Sequence, residues 1–536
     1  MSHATTTHEF SQYAEVRAAL ADPALVPPAP APVAGLPGAS VAWLRAGVAR
    51  FASGEPHRRR RALVEAELAR LAPAELHRAA SAAGGSGGLR TRVVCALAAA
   101  LDMPEPERIA REVNVVADSY FGGDGGTEAD LAVARLVALL APGTTDEAGL
   151  EAVANRIGML VQACAATASL VEAVAAAGTA GTAGTAGSRV PTARVLREDP
   201  PVRVMRRVAA RATRIAGREI AEGDEVVLDL VADRHGHPTP LTFGAPPRVC
   251  PGRAHALALA DGLLGRPMTP FARLHHRGGA FLLPNAWDCA SAAALAAEGF
   301  EAVGTTSLGV AAGLGLPDGA AATEGATVDL ARRLGRGSSL FSVDAEGGFS
   351  DDPAEVAALA RRLYEAGAAG INLEDGRADG SLAPVELHAA KIAAVKEAVP
   401  ALFVNARTDT YWLGREQERT ADRLAVYERA GADGVFVPGL TDRAGIAALT
   451  AALVTPLNVL YSPAGPTVAE LSALGVRRVS LGSLLYREAL AGAAATAAAI
   501  RDGGPVRGGA LSYADVQALV PDEGSGGRGG DDVHDG

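Results

Sequence analysis

Aromatic residues make up only 4% of this 536-residue chain, and cysteine occurs only four times. Cys95, Cys164, Cys250 and Cys289 lie far apart and show no metal-type spacing, so a reducing cytoplasm is the simplest compartment. No uninterrupted apolar stretch spans a membrane, and the polar start MSHATTTHEF is not a signal peptide. Positive charge is also scarce. With a formal charge of −11 and no sustained Lys/Arg stripe, nucleic acid is not the expected partner. The one exception, HRRRRALV at 57–64, reads as a solvated helix face.

Small residues dominate instead. Ala and Gly are abundant, 49% of residues are hydrophobic and 21% are charged, which describes a globular protein whose helices pack through small side chains. The length exceeds what one core supports, and a prior of roughly one domain per 150 residues permits two to four. Gly-rich punctuation falls near Gly84, in the GTAGTAGTAG run from Gly178 to Gly187, and after Pro521. The chain divides into a mainly helical part (1–266), a regular part (270–505) and a tail (506–536) expected to be disordered.

From Phe271 onward short apolar runs alternate with Ala-rich amphipathic stretches. The runs are 280–284, 302–306, 340–344, 370–374, 402–405, 434–437, 457–461 and 478–482. Stretches such as DPAEVAALARRLYEAGAAG open on Asp or Thr and close on Gly, as helix caps require. Eight such units in about 230 residues predict a parallel (β/α)8 barrel, with a doubly wound open sheet as the alternative.

Several of these runs end in charge. Strands made of Val, Ile, Leu and Phe are buried on both faces, so charges at their C-terminal tips serve a site rather than packing. In SVDAEGG, Asp344 and Glu346 sit two apart and are expected on one side. Glu374 and Asp375 close the next strand. Carboxylates converging on a barrel mouth repel one another unless a cation sits between them, and oxygen ligands favour Mg²⁺. In VNARTD, Asn405 and Arg407 share a face, and an Arg there clamps a carboxylate or phosphonate.

LPNAWDCASA, TTSLGVAAGLGLPDG, VDAEGG, NLEDG and NARTD, in this order across Phe271 to Gly503, resemble the isocitrate lyase and phosphoenolpyruvate mutase superfamily. The resemblance implies a TIM barrel that binds Mg²⁺ and a small 2-oxo or dicarboxylic acid and makes or breaks C–C or C–P bonds. By position it assigns Asp344, Glu346 and Glu374 to the metal and Asp318 and Arg407 to catalysis. It assigns Thr306, Ser307, Leu308, Asn405 and Arg407 to the substrate, and it suggests a homo-oligomer. The segment after NLEDG departs from the family: it has neither the lyases' Lys-(Lys/Arg)-Cys-Gly-His loop nor the mutases' Lys-Thr-Asn loop. His388, the nearest titratable group, reads as a surface residue at helical spacing, and Cys289 as a small packed hydrophobe.

In the first half, Cys250 lies in a Gly/Pro-rich loop before a helix, a position that lowers a thiol's pKa and suits a soft axial metal ligand. LTFGAPPRVCPG resembles the haem-binding loop of the cytochromes P-450, matching at Phe243, Gly244, Arg248, Cys250 and Gly252. FASGEPHRRRRALV, GMLVQACAATASLVEAV and VLREDPPVRVMRRVA resemble further P-450 segments in the family's order. The likeness implies a haem held by Cys250, with His57, Arg61, Arg207 and Arg248 on its propionates, Thr167 on the distal side, and a redox partner. The departures are Pro246 for a glycine, no acid beside Thr167, and Arg194 where the Glu of a Glu-x-x-Arg pair belongs. Losing a buried Glu opposite Arg197 costs about 3–5 kcal/mol if the site stays buried.

The expectation is therefore an α/β chain, a (β/α)8 barrel enzyme preceded by a shortened, mainly α-helical P-450-like part. The alternatives are a haem-thiolate oxidoreductase of monooxygenase type served by the barrel, or a noncatalytic haem-binding or docking module in front of it.

Overall fold

The computed structural model describes residues 5–519 apart from 31–35, 84–86, 123–125, 181–190, 232–240, 267 and 507. The segment at Gly84, most of the GTAG repeat and the tail beyond 519 thus lie outside the described residues. Within the tail, Tyr513–Ala518 is a short helix capped by Ser512, so the disorder expected of 506–536 does not hold there.

The predicted runs form parallel strands β1 (Phe281–Leu283, resuming as Asn285–Ala286), β2 (Ala302–Thr305), β3 (Leu340–Asp344), β4 (Gly370–Glu374), β5 (Phe403–Arg407), β6 (Gly434–Val437), β7 (Leu457–Leu460) and β8 (Arg478–Ser480). Pro284 interrupts the first strand because it has no N–H to donate. Its first piece pairs with β8 and its second with β2, so the sheet closes into a barrel and the open-sheet alternative is excluded. Asn285 secures the seam. Its carbonyl oxygen accepts the N–H groups of Leu481 and Gly482, and its amide donates to Thr305 O.

Period-2 alternation sorts the side chains. Ile371, Leu373, Val404, Ala406, Val435, Val437, Val459 and Val479 join the core under the helices. The interior is layered. At the bottom, Phe271, Phe281, Leu283 and Phe403 form an aromatic plug with the helix Pro270–His275, and His275 stacks on Phe403 at 4.0 Å. Above it is a buried polar belt, in which Asn372 Oδ1 accepts from Asn405 Nδ2 and, across the barrel, from Arg478 Nη2. The last residues of β3, β4 and β5, namely Asp344, Glu374 and Arg407, form the charged rim.

The first half packs helices around α1 (Glu147–Ala180). By length and composition this is, among the described residues, the one helix able to cross a membrane, but most of its apolar window is buried inside the protein. The first half also holds a small mixed sheet, in which Thr7–Phe10 runs parallel to Glu225–Asp229 and Glu225–Asp229 pairs antiparallel with Val204–Ala209. This half docks on the barrel at α2 (Thr420–Ala430), where Arg197 forms a buried ion pair with Glu428. Arg253 adds hydrogen bonds to Thr450 O and Ala451 O at 2.6 and 2.7 Å. After β8, α3 (Leu484–Arg501) buries none of its residues and leaves Leu490 and Ile500 exposed.

Candidate active site at the barrel mouth

Arg407 is the centre of the rim. Its Nη1 donates to Glu374 at 2.6 Å, and its Nε and Nη2 hold Asp409 at 2.6 and 3.1 Å. A guanidinium has five N–H donors, so further N–H groups remain for a ligand. Burial disfavours its charge, but Glu374, Asp409 and Asp344 outweigh that and hold Arg407 firmly protonated.

Asp344 lies beside it, accepting a long 3.3 Å hydrogen bond from Ser307 N at the start of the helix Ser307–Gly313, whose N-cap is Thr306. Burial raises the Asp344 carboxyl above its usual range, Arg407 pulls it back and Asp318 adds to the rise. Asp318 itself sits on an exposed turn. Burial pushes Glu374 further up, with Asp409, Asp344 and Glu346 adding to the shift against Arg407.

Glu346 departs from the strand-parity expectation. It lies beyond the end of β3 with φ +46, a left-handed conformation costly for a non-glycine residue. Its carboxylate turns to Thr323 Oγ1 at 2.7 Å and Ala321 N at 3.1 Å. Asp344, Glu346 and Glu374 thus border one mouth without forming one ligand cluster, and among the described residues no group of three His, Cys, Asp or Glu side chains is assembled to enclose a metal.

The donor set still fits Mg²⁺, which keeps most of its water and needs only one or two carboxylates. Asp344, Glu346, Glu374 and Asp409 crowd around Arg407, and burial raises the carboxyls of all four, with their mutual repulsion adding to the rise. Arg478, fully buried below them, is brought down to about 9 by burial with Asp344 opposing. A divalent cation at the mouth would favour the ionised carboxylates.

Some residues were overlooked or misplaced by the sequence. Asp409 follows Arg407 by two within NARTD and proves to be its bidentate partner. Asp375 is not at the rim but wholly buried behind it, bound by Thr408, Arg423 and Tyr427. His388 is fully buried against the Tyr427 ring, not on the surface, because its helix turns that face to the barrel. Cys289 is exposed at the first turn of its helix rather than packed. The segment after β4 is a tight turn, with Gly376 bridged to Leu382 and Arg377 N bonded to Ser381 O at 3.0 Å.

In the first half, the positions implied for haem contacts share a cation-rich environment. Arg207 is buried, its Nε has no partner among the described residues, and burial with Arg248 and Arg50 lowers it to about 10. Burial, Arg248 and Arg61 lower His57 to about 4. Arg61 donates to Val249 O, beside Cys250, and Arg248 to Ala52 O. Burial pushes the Cys250 thiol up, contrary to the lowering expected from its loop; the Gly252 N–H, Arg253, Arg50 and Arg61 oppose that rise. Thr167 is buried on α1.

Residues 271–501 match the family model of phosphoenolpyruvate phosphomutase. The chain is 46% identical over 254 residues to an uncharacterized protein of Mycobacterium tuberculosis (strain CDC 1551 / Oshkosh), spanning 47% of this chain and 96% of that one. It is 33% identical over 215 residues to oxaloacetate decarboxylase 2 of Pseudomonas fluorescens (strain Pf0-1), spanning 38% and 72%. It is 34% identical over 170 residues to 2-methylisocitrate lyase of Bacillus subtilis (strain 168), spanning 30% and 55%. The solved structure of oxaloacetate acetylhydrolase aligns at 25% identity over 46% of this chain and 92% of its own, with a TM-score of 0.43. Through its barrel the chain belongs to the phosphoenolpyruvate mutase/isocitrate lyase superfamily, and it is an enzyme of the lyase/mutase type.

Proposed function

We propose that the barrel mouth cleaves the C–C bond of a small 2-oxo dicarboxylic acid with the help of Mg²⁺, and that the reaction is decarboxylation of an oxaloacetate-like substrate. The observation that carries this is the crowding of buried carboxylates around Arg407 at the barrel mouth. Asp344, with Glu346 and Glu374 nearby, would hold Mg²⁺, which when bound supplies Lewis-acid polarisation of a 2-oxo group. Arg407 would hold a substrate carboxylate, and Thr306, Ser307 and Leu308, next to Asp344, would border the same space. Asn405 supports the floor, and Asp318 lies on the turn that approaches the mouth.

The choice of bond follows from the turn after β4. It carries no Cys, His or Lys to protonate a leaving carbanion, as cleavage into two acids would require. In decarboxylation the C–C electron pair passes to the 2-oxo oxygen to form an enolate, CO₂ departs unprotonated, and water later returns a proton to carbon. The relative named oxaloacetate decarboxylase 2 supports this choice. Pyruvate release from oxaloacetate should require Mg²⁺, exceed the enzyme-free rate and fall about 100-fold or more in Asp344→Ala. No turnover of oxaloacetate, 2-methylisocitrate or phosphonopyruvate, or unchanged turnover in Asp344→Ala, refutes it.

The cations around Arg207 favour a second reading for the first half, a haem-thiolate site. Cys250 would bind the haem iron through its sulfur, His57, Arg61, Arg207 and Arg248 would meet the propionates, and Thr167 would line the pocket; the haem would supply thiolate-ligated iron chemistry. Added haemin should give a thiolate-type Soret band that Cys250→Ser abolishes. Without such a band the helical half is better read as a docking module held by Arg197.

A further inference from the structure

Asp375 lies outside the mouth, yet it receives an unusually dense set of hydrogen bonds. Its Oδ1 accepts the backbone N–H of Asp409 at 2.8 Å. Its Oδ2 accepts from Thr408 Oγ1 at 2.8 Å, Arg423 Nε at 2.9 Å and Tyr427 Oη at 2.6 Å. Asp375, Thr408 and Tyr427 are fully buried, and Asp409 and Arg423 nearly so. Two elements thereby converge on one carboxylate: the segment following β5 and the inner face of α2.

The Asp409 main chain is anchored from below by this contact, and its side chain is confined from the other side. A Cβ on Gly376 would stand 2.2 Å from Asp409 Oδ2, so only a glycine leaves room for the carboxylate where it meets Arg407. Asp409 then grips Arg407 through Nε and Nη2, which leaves Nη1 aimed at Glu374. A guanidinium on a flexible stem is pre-organised only if something fixes its plane, and a bidentate carboxylate does so.

We propose that Asp375 is a positioning residue for Arg407, acting through Asp409, with Tyr427 and Arg423 holding Asp375 and Gly376 enclosing Asp409. This rests on the mouth being the carboxylate site described above. A merely structural role would alter stability alone, whereas positioning alters how Arg407 receives a carboxylate.

Oxalate, a planar dicarboxylate, serves as the probe in calorimetric titrations of the full chain with saturating Mg²⁺, beside titrations with Mg²⁺ alone and urea midpoints. Asp375→Asn should weaken oxalate at least tenfold, and Tyr427→Phe and Gly376→Ala about three- to tenfold, while Mg²⁺ affinity stays within twofold of wild type. Should Asp375→Asn fail to fold, the other two variants decide. Oxalate binding as in wild type by Tyr427→Phe and Gly376→Ala overturns the positioning role while leaving the carboxylate site intact. Failure of wild type itself to bind oxalate overturns the carboxylate site, and the positioning role with it.

Discussion

The ion pair between Arg197 and Glu428 joins the two halves of the chain, and its two partners are not equivalent. Both side chains are buried, at 5% and 0% exposure. Glu428 Oε2 takes Arg197, while its Oε1 accepts from Val454 N, Thr455 N and Thr455 Oγ1 at 2.6, 2.7 and 2.8 Å. Arg197→Met therefore leaves a carboxylate that keeps three donors. Glu428→Met leaves a buried guanidinium without its carboxylate and also three donors without their acceptor. Breaking a buried pair from one side costs about 3–5 kcal/mol, and each donor stranded in the interior adds to that. Glu428→Met should thus cost about 4 kcal/mol or more, Arg197→Met about 2 kcal/mol, and the double variant about 2 kcal/mol less than the sum. The assay is urea unfolding followed by fluorescence of Trp43 in the first half and of Trp287 and Trp412 in the barrel, each isolated by replacing the others. In wild type the transitions should overlap, and in Glu428→Met the Trp43 transition should come first. Equal losses from either side, or costs below about 1 kcal/mol that simply add, would refute the asymmetry.

Further outcomes follow from the same buried contacts. Burial lowers His388 to about 4, with Asp375 opposing and Lys391 and Arg423 assisting. Since an unfolded His titrates near 6.5, the unfolded chain takes up the proton first, so the contribution of neutral His388 is complete above pH 6.5 and lost between about 6.5 and 4. His388→Phe, which preserves the ring against Tyr427, should reduce the stability lost across that window by about 3 kcal/mol in denaturant titrations. A Cβ on Gly335 would lie 1.8 Å from Ala366 O, a backbone atom that cannot swing aside. Gly335→Ala should therefore cost at least about 2 kcal/mol and lower Tm, whereas Gly337→Ala, with only a 3.4 Å neighbour, should be tolerated. Asp352 caps its helix by accepting from Ala354 N at 2.8 Å, and Asp352→Ala should cost about 1 kcal/mol in the same assay.

The barrel was legible because its strands carry their own evidence. Each is short, rich in apolar residues and followed by a helix, several of them capped by Asp or Thr side chains, and the observed strands begin and end within a residue or two of the predicted ones. The rim was legible only as far as strand parity extends. Glu374 shares the pleat of Asn372 and faces inward, so Asp375, one residue on, faces outward, an assignment the same parity argument could have made. Beyond Asp344 the backbone enters the left-handed region at Glu346, parity ceases to apply, and the expected pairing of the two acids fails. His388 was misjudged for a related reason. An Ala-rich helix has a weak apolar contrast between its faces, so spacing alone did not reveal which face meets the barrel.

The first half posed a different problem, because its decisive contact is with a residue 231 positions away. The local pattern offers Arg194 where an acid is expected, and from that segment alone Arg197 lacks a counter-charge. The carboxylate comes instead from α2 of the barrel, which also carries Arg423 and Tyr427 to Asp375. One helix therefore meets the first half through Glu428 and Asp375 through Arg423 and Tyr427. A substitution that released Glu428 from Arg197 would act on a helix whose neighbouring side chains hold the rim. Removing the helical half would take Arg197 from Glu428 Oε2, while Glu428 Oε1 would keep the donors of Val454 and Thr455 in the segment before β7.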